Sequence, residues 1–114
     1  MQERFQVLLS EEVRAFLRLL SEKDREKILY NIRKAQLVHD DELFKKLTDE
    51  IWEFRTLFNR THYRIFAFWD KAGPSATLVL TTHGIIKKTG KTPPADLARA
   101  EQIRRRYFDQ KTRP

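Results

Sequence analysis

The sequence predicts an α+β fold with the element order β-α-α-β-β-β-α, an N-terminal strand and a helical hairpin packing on a mainly antiparallel sheet. Three observations carry this expectation. Apolar residues at helical spacing are confined to residues 13–35, strand-like apolar runs occupy residues 51–86, and a Thr-Pro pair at 92–93 restarts helix. With 114 residues, 40% of them hydrophobic, the chain suits one domain spanning residues 1–114 around one core.

Each element has a local cause. Residues 5–9 form a short apolar strand, and Ser10 followed by Glu11 and Glu12 reads as an N-cap with acids suited to a helix dipole. Val13, Phe16, Leu17 and Leu20 then fall at i, i+3, i+4 and i+7. Ser21-Glu22-Lys23-Asp24 approximates a capping box for a second helix carrying Ile28, Ile32 and Ala35. After the acidic break Asp40-Asp41-Glu42, strands are expected over residues 51–58, 62–69 and 76–86. Thr92-Pro93 supplies an N-cap and first-turn residue for a last helix, with residues 110–114 frayed.

A two-residue turn at Asn59-Arg60 fixes the register of the middle hairpin. It pairs Phe58 with Thr61, Thr56 with Tyr63, Arg55 with Arg64 and Glu53 with Phe66. Alternation then sends Trp52, Phe54, Tyr63, Ile65, Ala67 and Trp69 toward the helical hairpin, and Glu53, Arg55, His62 and Arg64 to the other face. Arg55 and Arg64 become cross-strand neighbours. Like charges so placed cost up to ~1 kcal/mol relative to a neutral pair, which calls for Glu53 or a bound anion between them.

Charge is unevenly spread. Residues 83–114 hold nine Lys/Arg against three Asp/Glu, whereas residues 1–82 hold fourteen against thirteen. Such a local excess of cation suits a polyanionic partner, and nucleic acid is the commonest one. The absence of cysteine excludes disulfides, zinc-thiolate sites and thiol nucleophiles. The N-terminus lacks an apolar signal-peptide core and no apolar run approaches the ~18 residues of a membrane span, so a cytoplasmic protein without membrane partner is expected. Gly84-Ile85-Ile86-Lys87-Lys88-Thr89-Gly90-Lys91-Thr92 has five residues between its glycines where a P-loop has four, so nucleotide hydrolysis is set aside.

Leu43-Phe44-Lys45-Lys46-Leu47, Ile51-Trp52-Glu53-Phe54-Arg55, Tyr63-Arg64-Ile65-Phe66 and Leu80-Thr81-Thr82-His83-Gly84-Ile85-Ile86-Lys87-Lys88-Thr89 with Lys91-Thr92-Pro93 and Ala100 resemble, in order and spacing, the phage-derived HigB-like branch of the RelE/ParE toxin superfamily. The resemblance implies a RelE-like fold and the toxin of a type II toxin-antitoxin pair. Such a toxin is an endoribonuclease that cleaves messenger RNA, typically in the decoding site of the ribosome's 30S subunit. Its partner would be an antitoxin with a helix-turn-helix DNA-binding domain, and no metal or other cofactor is implied.

Metal-free RNA cleavage needs a base for the attacking 2′-hydroxyl, cations for the phosphorane charge and an acid for the leaving 5′-oxygen. Arg64 matches the arginine of the family's Tyr-Arg motif and is the candidate clamp for the scissile phosphate, with Arg55 beside it. Lys87, Lys88 and Lys91 extend the anion site. Glu53 and His83 are the nearest candidates for base and acid, Tyr107 is a weaker one, and a lysine acidified by neighbouring cations can also serve. The tyrosine that follows the basic tract in RelE has no counterpart, since Pro93-Pro94 stands there. Arg104, Arg105 and Arg106 either bind ribosomal RNA or complement their helix dipole. Ion pairing of Arg55 and Arg64 with Glu53 on a solvated face, and a structural His83, are the plainer readings. Two other functions stay open: a non-enzymatic, ParE-like DNA gyrase poison, and an inactive RNA-binding accessory domain.

Overall fold

The computed structural model describes residues 2–73, 77–87 and 91–112. It contains β1 (Gln6–Leu8), α1 (Glu11–Arg18), α2 (Glu22–Leu37), β2 (Phe44–Lys46), β3 (Trp52–Phe58), β4 (Thr61–Asp70), β5 (Leu78–Lys87) and α3 (Pro94–Thr112). The five strands form one sheet in the order β1-β5-β4-β3-β2. β1 runs parallel to β5 and all other pairs are antiparallel. The expected α+β architecture is therefore present, with one strand more than the sequence reading supplied.

That strand is β2. Its three residues are too few for a periodicity to register, yet Phe44 pairs with Phe54 and stacks on it at 4.2 Å between ring centroids. Phe44 thereby joins the aromatic floor with Phe5, Trp52 and Trp69.

The two helices behind the sheet begin as their caps dictate. Ser10 Oγ accepts from the Val13 N–H and donates to the Thr82 carbonyl, while its own N–H donates to Thr81 Oγ1 at 2.9 Å, so one residue starts α1 and bolts it to β5. Ser21 Oγ accepts from the Asp24 N–H to start α2. Val13, Leu17, Ile28, Ile32 and Ala35 bury against Phe54, Tyr63, Ile65 and Ala67. Gly84 lets α1 approach: a Cβ there would sit 2.6 Å from the Phe16 ring and 2.9 Å from Ile65 Cδ1.

The β3–β4 hairpin has the anticipated register, Phe58 opposite Thr61, Arg55 opposite Arg64 and Glu53 opposite Phe66. Asn59 and Arg60 both have positive φ, 54° and 61°, as a type I′ turn requires. A fixed turn and a period of two leave no freedom in which side chains share a face.

The other face is divided by α3. Ile51, Phe66, Phe68, Leu80 and Ala100 form a second apolar cluster beneath it, joined by Leu47, Leu78, Ile85, Leu97, Tyr107 and Phe108. This corrects the expectation of a single core. It also corrects the picture of a solvated strand face, because Glu53 and Arg64 are buried at its edge. The start of α3 is one residue later than expected: the Asp96 and Leu97 N–H groups bond to the Pro93 carbonyl, which makes Pro93 the cap and Pro94 the first helical residue. Thr92, freed from capping, donates its hydroxyl to Glu53 Oε1 at 3.2 Å. Residues 110–112, expected to fray, continue the helix.

The far end of α3 is tied to Asp70, whose carboxylate is buried and accepts from Tyr107 Oη at 2.7 Å, from Lys111 Nζ at 2.5 Å and from the Ala72 N–H. Hydrogen bonds from Lys111 and Tyr107 hold its pKa down at about 2, from an ordinary 3.8. A carboxylate acidified by folding contributes stability that is complete above 3.8 and lost as the pH falls toward 2. The acid limb of a stability–pH profile should therefore flatten in Asp70→Asn over that window, and urea midpoints measured from pH 6 to pH 2 check it. The same loss of stability on acidification in both proteins would remove Asp70 from the account.

Candidate functional site

Beyond the N-terminal end of α3 the sheet face turns from apolar to charged, and alternation decides which side chains meet there. Glu53, Arg55 and Leu57 on β3, His62 and Arg64 on β4, and Ile85 and Lys87 on β5 project to this side, because Arg55 pairs with Arg64, Arg64 with Ile85 and His62 with Lys87. Glu42, Arg55, Leu57, His62 and Arg64 line a cavity of about 130 Å³. That is small beside pockets for whole cofactors, which run to ~300–1,000 Å³, and suits a phosphate with part of its sugar. A wider, open hollow of about 400 Å³ on the helical side, lined by Lys23, Glu26, Lys27, Tyr30 and Phe58, contains no buried charged group. Size alone does not mark the site.

The electrostatics centre on Glu53. Its side chain is 3% exposed, and Oε2 lies 3.5 Å from the Nε atoms of both Arg55 and Arg64. One carboxylate thus serves two guanidinium groups. Neither Nε is hydrogen-bonded among the described residues, although both are shut off from solvent, while Arg64 Nη1 donates to the Tyr63 carbonyl at 3.1 Å. Both Nε atoms meet Glu53 as ion pairs rather than as hydrogen bonds, and two guanidinium groups against one carboxylate leave an excess positive charge beside the cavity, which suits an anion that enters from outside. Burial pulls the Arg64 pKa down, Glu53 opposes this and Arg55 adds to it.

Lys87, 6% exposed, lies at the same edge. Burial lowers its pKa, Arg64 and then Arg55 push the same way, and Glu53 and Asp96 oppose them. The expected strand stopped at residue 86, just before Lys87; β5 instead runs on through Lys87, which ends beside the arginine pair. Lys88 lies outside the described residues. Lys91 is exposed.

Residues 15–105, well over half the chain, match the family described as Phage derived protein Gp49-like (DUF891). The chain belongs to the Gp49-like family. This family lies within the RelE/ParE-like toxin grouping, in which a toxin has an antitoxin partner. No curated protein matches the chain significantly.

In this Gp49-like chain the remaining candidates sit elsewhere. His83 is fully buried under the first turn of α3, stacked on Phe66 at 4.8 Å. Its Nε2–H donates to Asp96 Oδ1 at 3.1 Å, which leaves Nδ1 to accept from Thr82 Oγ1 at 3.1 Å. Burial lowers its pKa against the pull of Asp96. Both ring nitrogens are engaged in holding α3 to β5, so His83 supports the site from beneath. Arg104 pairs with Glu50 and Glu101, and Arg105 with Glu101. Arg106 is exposed. Tyr107 donates to Asp70, and burial followed by Asp70 raises its pKa to about 12. From Asp96 to Tyr107 the helix rises by about 16 Å, so this group belongs to the opposite end of α3. The structure therefore joins Glu53, Arg55, Arg64 and Lys87 and separates from them His83, Arg104, Arg105, Arg106 and Tyr107. His62 lies with them on the face that the hairpin register assigned to it, and the structure adds Leu57, Glu42 and Thr92. No helix among the described residues is long and apolar enough to cross a membrane.

Proposed function

We propose that this chain is the toxin of a toxin-antitoxin pair, of the HigB-like type, and that it cleaves messenger RNA in the cytoplasm, on the translating ribosome, at the Arg55–Arg64–Lys87 edge of the sheet. The observation that carries the reading is a pair of cross-strand guanidinium groups that share one carboxylate and line a phosphate-sized cavity. In the step proposed, the RNA 2′-oxygen attacks the adjacent phosphorus, the P–O5′ bond breaks, and a 2′,3′-cyclic phosphate and a 5′-hydroxyl end result. Arg64 and Arg55 receive the charge that develops on the non-bridging oxygens. Lys87, acidified by burial and by its cationic neighbours, is placed to take the 2′-proton in its neutral form and to return a proton to the 5′-oxygen; Glu53 is the other proton acceptor in the pocket. His83 acts by holding Asp96, and with it the start of α3. The antitoxin, expected to carry a helix-turn-helix domain, would silence the toxin by covering this face or fixing α3 across it.

Induction of the chain alone in bacteria, with transcript 5′ ends mapped before and after, tests the reading. New 5′-hydroxyl ends within translated messages are expected. Growth arrest with intact transcripts and broken chromosomes would transfer the chain to the gyrase-poison class. For Lys87→Met, cleavage should fall and the salt dependence of RNA binding should flatten by roughly 0.7 in log–log slope, the value for one phosphate contact on a single strand. An unchanged slope and rate would place Lys87 outside the contact.

A further inference from the structure

We infer that the RNA path does not end at the arginine pair but runs on to the edge strand, where Lys45 holds a second phosphate and Lys46, its neighbour in sequence, holds none. This extends the RNA-cleavage reading and rests on it. Alternation on β2 separates the two lysines. Lys45 pairs with Glu53 and so lies on the face of Arg55 and Arg64, whereas Lys46 pairs with Trp52 and shares the face of the helical hairpin. Both are exposed.

The cations on the active face form a diagonal. Lys87 stands opposite His62; Arg64 lies two residues farther along β4, level with Arg55; Glu53 lies two residues farther in the same direction, level with Lys45. Each strand crossing adds ~4.8 Å and each two-residue step ~7 Å, so the line from Lys87 to Lys45 covers about 20 Å. A single strand rising ~3.4 Å or more per nucleotide presents several phosphates over that length. Of the two carboxylates near the line, Glu53 is already shared between Arg55 and Arg64, and Glu42 is exposed at the rim of the cavity with Leu57 and His62. Away from this diagonal, α3 covers the face with apolar packing. A polyanion lying over the arginine pair therefore has its continuation toward β2 marked by Lys45.

The test is binding of the full chain to a fluorescent, uncleavable 2′-O-methyl single-stranded oligonucleotide across a salt series. Lys45→Ala should weaken binding about fivefold near 0.1 M salt and lower the slope by roughly 0.7. Lys46→Ala should change neither. Equal losses in the two variants would mean that the lysines act through net charge alone and would overturn the path. Loss of binding in Arg64→Ala with none in Lys45→Ala would overturn it while sparing the cleavage reading. Failure of the unmodified chain to bind at any salt would overturn the path as well, while the cleavage reading stands or falls on the mapped transcript ends.

Discussion

Arg64→Ala should abolish growth inhibition and transcript cleavage, with a fall in cleavage rate of ~10²- to 10³-fold. The magnitude follows from where the guanidinium lies. At 2% exposure it is withdrawn from water, so its field on an entering phosphate is weakly screened, and the one carboxylate beside it, Glu53, is shared with Arg55. Arg64→Lys should recover little, because one ammonium cannot reproduce a planar fork of donors. The control is a folded protein: circular dichroism and a cooperative melt should persist, since Arg55 still faces Glu53. Full toxicity in a folded Arg64→Ala protein would end the assignment of this residue to catalysis.

What could be read in advance depended on whether local rules or the chain's return settled the matter. Arg55 opposite Arg64 was legible because a two-residue turn and a period of two decide it without tertiary information. The helical hairpin was legible because Ser10 and Ser21 cap where apolar spacing begins. The burial of Lys87 was not, because it depends on the end of β5 lying beside the arginine pair rather than on the basic run that contains it. Likewise nothing in the sequence near Thr92 points to Glu53, and nothing near His83 points to Asp96; both contacts exist because α3 folds back over the sheet. β2 was missed for a different reason. Three residues with one inward phenylalanine carry no period, and the strand is held by Phe44 meeting an aromatic floor assembled from three other segments.

Glu53→Gln is expected to be the most destabilising conservative change on this face, and an added anion should reverse it. The substitution keeps the volume and an acceptor for the Thr92 hydroxyl but removes the charge within 3.5 Å of two guanidinium groups. Arg55 and Arg64 would then stand as unneutralised cross-strand neighbours, with Lys87 beside them. Stripping one partner from a buried ion pair costs about 3–5 kcal/mol, and the 28% exposure of the Arg55 side chain favours the lower end. For a chain of this size that corresponds to a fall in Tm on the order of 10 °C. Phosphate or sulfate should bind where the carboxylate charge was lost and raise the Tm of Glu53→Gln by more than that of the unmodified protein, since a ligand that binds only the folded state stabilises it by mass action. Thermal melts over a phosphate series, with chloride at matched ionic strength as the comparison, separate site binding from screening. An unchanged Tm would mean that Glu53 does not hold the arginine pair together, and equal responses to phosphate in both proteins would mean that no anion site opens when its charge is removed.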